Sequence, residues 1–304
     1  MKINFKALGT DISIQIISDN ISNGLEEEIK NFYCEKEKTF SRFDKNSKLS
    51  TLNNNLGKYN TASSDIIEVA GKCLEYNKDT DGYFDPRIIE VLESIGYDKD
   101  FRKINSEEIK KESLDIKCLS DDLGSDLKID GDKIYFRCRM DFSGIAKGYI
   151  TDKLANYLQE RGYTNFLIDS GGDIRISGKD ENGENWKISL EGVAEEKILL
   201  ELNNNFPAIA TSGITRRKWE NESGKFHHLI NPKSPGEFNF NLKSATVVAR
   251  TCEEADIWEK VLYLMGKENG IQFSEEKNIK SLFLDYKGNI QVSGVMKNNI
   301  NING

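Results

Sequence analysis

In "TDISIQI" near the N-terminus, Ile12, Ile14 and Ile16 alternate with polar residues, and this period of two predicts a strand from the first residues onward. The period then changes. In "NGLEEEIKNFYCEKEKTFSRF" the apolar residues Leu25, Ile29, Phe32 and Tyr33 recur at helical spacing, and "SDIIEVAGKCLEYNKDTDG" reads as a second helix ended by Gly82. The stretch from about Ser106 to Asp130 is charged and irregular, which predicts a surface excursion. "KIYFRCRMDF" reads as a strand that delivers the chain to a glycine-rich turn. There "SGIAKGYITDKLANYLQERG" opens a helix with Ile150, Leu154, Ala155 and Leu158 on one face. Further strands are expected in "NFLIDSGGDIRISG", "NWKISLEG", "ILLELN", "PAIATSG", "KFHHLI" and "SATVVAR". "TCEEADIWEKVLYLMG" predicts a helix capped by Thr251 and closed by Gly266, and "SLFLDYKGNIQVSG" a hairpin turning at Lys287 and Gly288. Helices mixed with mostly antiparallel strands point to an α+β fold rather than a doubly wound sheet. No linker, repeat or low-complexity block divides residues 1–304, so a single domain is expected.

Composition narrows the partners. The 304 residues suffice for a sizeable core, and the net charge of −8, with no basic stretch, argues against nucleic acid. A small anionic ligand stays open, since glycines and helix ends can bind phosphate inside an acidic protein. The five cysteines are scattered with no CxxC spacing, which fits a reducing compartment and neither a disulfide framework nor a zinc site. No segment reads as a signal peptide or is long enough to span a membrane. The chain therefore reads as cytoplasmic, although one trimmed of a leader would read the same.

Several short stretches hold candidate chemistry. "DFSGIAKGYITD" places Gly144 and Gly148 around Lys147, either as a phosphate cradle or as an ordinary glycine turn with a solvated lysine; spacing alone favours the turn. "IDSGGDIRISG" sets Asp169 and Asp173 around two glycines, where close backbone approach to a ligand and a simple tight bend are equally good readings. Phe84 and Asp85 follow a helix stop, and Thr211 and Ser212 end a strand, where hydroxyls most often cap a turn. Asp256 and Lys260 lie four apart on one helix face. That is the spacing of a favourable surface pair, unless Asp256 is aimed at a cation. The chain's two histidines, His227 and His228, are adjacent. In an extended strand they point to opposite faces and cannot easily share one metal, so one faces a site while the other packs or is solvated.

Eight landmarks occur in a specific order: "LGT", "FSRFDKNSKLSTLN", "GYFDP", "DFSGIAKGYITD", "IDSGGDI", "ATSG", "HHLINP" and "ATVVA" followed by "EEADIWEK". In this order the chain resembles the FAD:protein FMN transferases, the ApbE family, over nearly its whole length. The resemblance implies an ApbE-like α+β fold of two related α/β halves, with mainly antiparallel sheets and the flavin nucleotide between them. It implies transfer of FMN from FAD to a Ser or Thr hydroxyl of a target flavoprotein, with release of AMP and help from a divalent metal such as Mg2+. By resemblance, Phe84, Asp85, Lys147, Asp173, Thr211, Ser212 and His228 belong to the nucleotide site. His228 matches the general base, Asp256 the metal-binding aspartate, and Gly144 the residue offering a backbone carbonyl to the metal.

Three positions depart from the family pattern. Lys260 stands where the family places a Thr metal ligand, Asn231 replaces the acid of "HIIDP", and Lys48 replaces the acid of "SEL". An ammonium cannot ligate a hard cation and repels it. Alternatives to transfer are an FAD-binding carrier or sensor with lost or weak activity, and an FAD pyrophosphatase giving FMN and AMP.

Overall fold

The computed structural model describes residues 1–98, 119, 122–193, 197–215, 217–221 and 224–301. The chain forms two compact units. One comprises Met1–Cys34, Lys147–Gly213 and Asn241–Gly304, the other Glu35–Ala146 and Ile214–Phe240.

In the first unit the N-terminal alternation resolves into a hairpin of β1 (Lys2–Ala7) and β2 (Thr10–Ile16), turned by Leu8 and Gly9, both at positive φ. This hairpin begins an eight-stranded sheet. The order runs β1, β2, β6 (Phe166–Ser170), β7 (Asp173–Ser177), β10 (Ala208–Gly213), β13 (Leu242–Ala249), β14 (Lys280–Asp285) and β15 (Ile290–Val292), with every neighbour antiparallel. Gly171 and Gly172, at φ 73° and 99°, make the turn between β6 and β7. One face of the sheet carries helices α1 (Leu25–Phe40), α6 (Ser143–Glu160) and α7 (Cys252–Lys277). The hydroxyls of Tyr33 on α1 and Thr151 on α6 meet Ser170 of β6 at 2.8 and 2.7 Å, closing a buried polar contact inside an apolar layer. Against the other face lies a small sheet of β8 (Trp186–Glu191), β9 (Lys197–Leu202) and β16 (Ile300–Asn301). Ile174, Ile176, Ile209 and Val248 of the large sheet bury against Trp186, Ile188, Leu200 and Leu202 there, each worth about 1.5–3 kcal/mol of burial.

The second unit contains the antiparallel sheet β3 (Tyr59–Thr61), β5 (Lys133–Phe136) and β4 (Leu127–Asp130), with helices α2 (Lys48–Asn53), α3 (Ser64–Asp79), α4 (Ile89–Ser94) and α5 (Leu123–Asp126). Helix α3 ends as expected, with the Gly82 amide donating to Asn77 O at 2.8 Å. A hairpin of β11 (Lys218–Asn221) and β12 (Gly224–His227) places Trp219 among Val91, Leu92, Ile95, Tyr97 and Ile230, where its indole N–H donates to Ile95 O at 2.8 Å.

Four local expectations change. The charged excursion lies mostly outside the described residues; at its end, buried Leu123 and Leu127 anchor α5 and β4. The strand in "KIYFRCRMDF" stops at Phe136, and that in "KFHHLI" stops at His227. Gly266 does not close α7. It kinks the helix at φ 77°, ψ 172°, and the helix then continues to Lys277, ending at Asn278 in the left-handed region. The continuation packs by virtue of Gly270, where a Cβ would stand 2.8 Å from the Phe283 ring. Cys34 is exposed and Cys73, Cys138 and Cys252 are buried, all four as free thiols, while Cys118 lies outside the described residues.

Candidate active site

The Gly148 position is explained by helix packing. A Cβ there would stand 2.6 Å from Glu253 Cα and 2.7 Å from Cys252 O, so only glycine lets the backbones of α6 and α7 meet. Gly148 therefore lies inside α6 rather than in the glycine turn that spacing favoured, and what its backbone approaches is another helix. One turn further along α6, the Asp152 carboxylate accepts the Cys252 and Glu253 amides, each at 2.9 Å. That satisfies two of the free N–H groups at the start of α7 and places a negative charge at its positive end. Thr251 caps the same turn as predicted, accepting the Glu254 amide at 3.1 Å. The Gly148 amide donates to Asp256 Oδ2 at 3.0 Å, so α6 also fixes the first turns of α7 from the inside.

Strand alternation decides what meets this helix. Asp173 opposes Ala210 across β7 and β10, and Ser212, two residues on, shares that face. Ser212 Oγ donates to Glu259 Oε1 at 2.8 Å. Thr211 lies on the opposite face, with its hydroxyl 2.9 Å from that of Thr246. Of the two adjacent hydroxyls, Ser212 joins the charged cluster and Thr211 does not.

Within the first unit the cluster comprises Lys147, Asp173, Asp256, Glu259 and Lys260. Oxygens of Asp173, Asp256 and Glu259 lie within 4.8 Å of one another, and all three residues are buried. Lys147 Nζ pairs with Asp173 Oδ2. Lys260 Nζ donates to Asp256 Oδ1, to Asp256 O at 2.9 Å and to Glu259 Oε1 at 2.8 Å. Asp256 and Lys260 are therefore not a surface pair: the aspartate side chain is fully buried and the lysine only 16% exposed. Glu259 was not singled out in the sequence. It stands three residues beyond Asp256, on the same helix face, but on a charged helix that spacing does not mark it as buried.

Burial and mutual charge shape the titration of these groups. Burial raises Asp173 above the ordinary aspartate value and the Asp256 charge adds to this, while Lys147 and Lys260 pull it back. Burial pushes Glu259 up to about 8 against the pull of Lys260. Both lysines feel burial most, which lowers them. In Lys147, Asp173 and Asp256 outweigh it; in Lys260, Asp256 and Glu259 do, and both ammoniums end above the ordinary lysine value. Glu259 Oε2 is buried and has no hydrogen-bond partner among the described residues.

The remaining candidates belong to the second unit. Asp85 is buried and engages the Arg87 guanidinium through both carboxylate oxygens, with Arg87 Nη1 reaching Asp126 at 2.6 Å. Phe84 is buried edge-on to Tyr76, and its amide donates to Thr80 Oγ1 at 3.0 Å. Gly144 is the second residue of α6. His227 packs edge-on between Phe238 and Phe240, at 5.1 and 5.2 Å, and burial pushes its imidazole down to about 4. His228, just past β12, sits with Nδ1 3.3 Å from Arg217 O. Asn231 accepts the Lys233 amide at 3.1 Å through Oδ1, a turn bond for which an amide serves as well as an acid. Lys48 is exposed at the start of α2.

The divalent metal implied at Asp256 can be tested against these residues. Three carboxylates are the right donors for a hard cation. The Lys260 ammonium, however, already sits on Asp256 Oδ1 and Glu259 Oε1, and Lys147 sits on Asp173. The residues as folded do not fit a divalent ion at Asp256, because the ion and the ammonium would compete for the same oxygens.

Fold and site together define an antiparallel α+β protein with a buried acid–lysine cluster between a helix pair and its sheet. No described helix is long and apolar enough to cross a membrane. The sequence model of the ApbE family matches residues 8–298, and the chain belongs to the ApbE family. It is 28% identical over 288 residues to the FAD:protein FMN transferase of Vibrio cholerae, covering 91% of this chain and 85% of that protein. It is 27% identical over 296 residues to the FAD:protein FMN transferase of Haemophilus influenzae, covering 92% and 84%. A mutant form of the flavin transferase ApbE from Vibrio cholerae superposes with a TM-score of 0.84 at 25% identity, covering 98% of this chain and 99% of that one.

Proposed function

We propose that this chain transfers FMN from FAD to a Ser or Thr hydroxyl of a target flavoprotein and releases AMP. The observation that carries the reading is the pair of half-buried ammoniums, Lys147 and Lys260, held by buried acids in a chain of this family. In the reaction the acceptor oxygen bonds to the phosphorus of the FMN half, and the bond from that phosphorus to the bridging oxygen breaks. AMP leaves with the bridging oxygen. Negative charge grows on the phosphate oxygens as this happens, and preorganised cations are the means of stabilising it. Lys147 and Lys260 take that role; Asp173 and Asp256 hold them in place.

His228 takes the acceptor's proton. With Nδ1–H donated to Arg217 O, Nε2 is the ring nitrogen with the lone pair, as a base requires. Proton removal of this kind contributes about 10²–10⁴-fold to rate. Ser212 acts through Glu259 as a positioning residue.

The test is incubation with FAD and a flavoprotein acceptor, following AMP by chromatography and the acceptor by mass spectrometry. The expected result is an acceptor heavier by FMN on a Ser or Thr, with equal AMP. AMP without adduct would make the chain an FAD pyrophosphatase, and bound FAD without AMP a carrier or sensor.

A further inference from the structure

Buried carboxylates that converge need a cation, because desolvation makes unpaired negative charge expensive. In the first unit the convergence is threefold, from Asp173, Asp256 and Glu259, and the cation nearest two of them is covalently part of the chain. An ammonium has three protons to donate. Lys260 spends them on three acceptors, Asp256 Oδ1, Asp256 O and Glu259 Oε1. The i, i+4 spacing makes this self-contained, since Lys260 folds back along α7 onto the carboxylate and carbonyl of the same residue.

We infer that Asp173, Asp256 and Glu259 form a cation site whose resident cation is the Lys260 ammonium, so that this chain takes up no divalent metal at Asp256 and meets a pyrophosphate-bearing nucleotide with its own two lysines. A divalent ion bound through Asp256 would have to displace an ammonium that is tied there, or lie beside it against its charge. The lysines are not sealed in: the Lys147 and Lys260 side chains retain 21% and 16% exposure. Glu259 Oε2 is a buried oxygen of the cluster with no hydrogen-bond partner among the described residues, and a ligand can satisfy it. The nucleotide half of this inference rests on the proposed FMN transfer; the cation half does not.

The cation half is tested with Mn2+ alone, counted by electron paramagnetic resonance on the full chain. Wild type is expected to hold no Mn2+ and to melt at the same temperature in EDTA and in excess Mn2+. Lys260→Thr is expected to take up about one equivalent and to melt at least about 2 °C higher with Mn2+ than with EDTA. Lys260→Arg keeps a cation in place and is expected to stay metal-free. Stoichiometric Mn2+ on wild type that is lost in Asp256→Asn overturns the inference. So does a folded Lys260→Thr that takes up none, or a Lys260→Arg that takes up Mn2+. Should Lys260→Thr not fold, the wild-type and Lys260→Arg counts decide.

A titration of FAD into wild type by flavin fluorescence separates the two readings. Equal FAD affinity in EDTA and in Mg2+ is expected. FAD binding that requires Mg2+ overturns the inference and leaves FMN transfer standing. No FAD binding in either buffer, with the Mn2+ results as expected, removes the transfer reading and leaves the cation site standing.

Discussion

The two units each bury a network of acids and bases, and the networks are built differently. In the second unit Arg87 forks onto Asp85 with two donors and reaches Asp126 with a third, while Arg137 closes on the other Asp126 oxygen. Planar guanidiniums match carboxylates bidentately and stay charged, which suits a joint that must not move. In the first unit the bases are lysines, point charges on flexible stems. Burial raises Asp173 and Glu259 above their ordinary values, and Glu259 Oε2 lacks a partner among the described residues. Buried acids raised above their ordinary values beside ammoniums that keep some exposure mark a candidate functional site. The arginine network reads as part of the fold's frame, and the lysine network is the one to which the proposed reaction assigns the nucleotide.

Substitutions can break that contrast. The largest effect is expected from Arg87→Met, which strands Asp85 and Asp126 in the interior and should lower stability by about 3–5 kcal/mol, measured by urea unfolding. Lys147→Met should instead act on turnover, lowering AMP release by about 10²–10³-fold, with a smaller shift in the urea midpoint than Arg87→Met gives. If Lys147→Met proved the more destabilising of the two, the division between architecture and chemistry would be wrong.

His227 sharpens the contrast from a third side, as a titratable group packed between aromatic rings. Its folded value of about 4 lies below the unfolded value of 6.5, so the unfolded chain binds more protons between these values. Its contribution is fully present above pH 6.5 and is lost as pH falls toward 4, to a limit of about 3 kcal/mol. Unfolding curves from pH 7 to 4 should show this loss, and His227→Phe should flatten it. The smallest effect belongs to the support of the lysine network: Thr251→Ala should cost about 1 kcal/mol, because Asp152 still holds two amides of the same turn. A loss of several kcal/mol in thermal unfolding would mean that the Thr251 cap, rather than α6, fixes α7.

Much of the frame was legible in the chain. Alternation at Ile12, Ile14 and Ile16 marked β2, helical spacing marked α1, α3 and α6, and Thr251 marked the start of α7. Alternation also separates Thr211 from Ser212, although nothing local says which face is the charged one. The second half of α7 escaped because Gly266 looks like a stop. Glycine permits the kink there, but packing of Gly270 on Phe283 is what keeps the helix going. Glu259 escaped because one more acid on a charged helix carries no local signal of burial.

By itself the sequence determined the periodicities, the caps and the order of landmarks that place the chain in its family. Those are local properties, set by side-chain sterics and by spacing along one element. Only the tertiary structure decided what Asp256 and Lys260 are. Four residues apart on a helix they read as a solvated pair worth a few tenths of a kcal/mol. The glycine contact that draws α6 onto α7, and the strand face that brings Asp173 and Ser212 under it, take the same pair out of water. Burial, which no single element contains, raises the strength of every charge there and makes Lys260 a cation in a site.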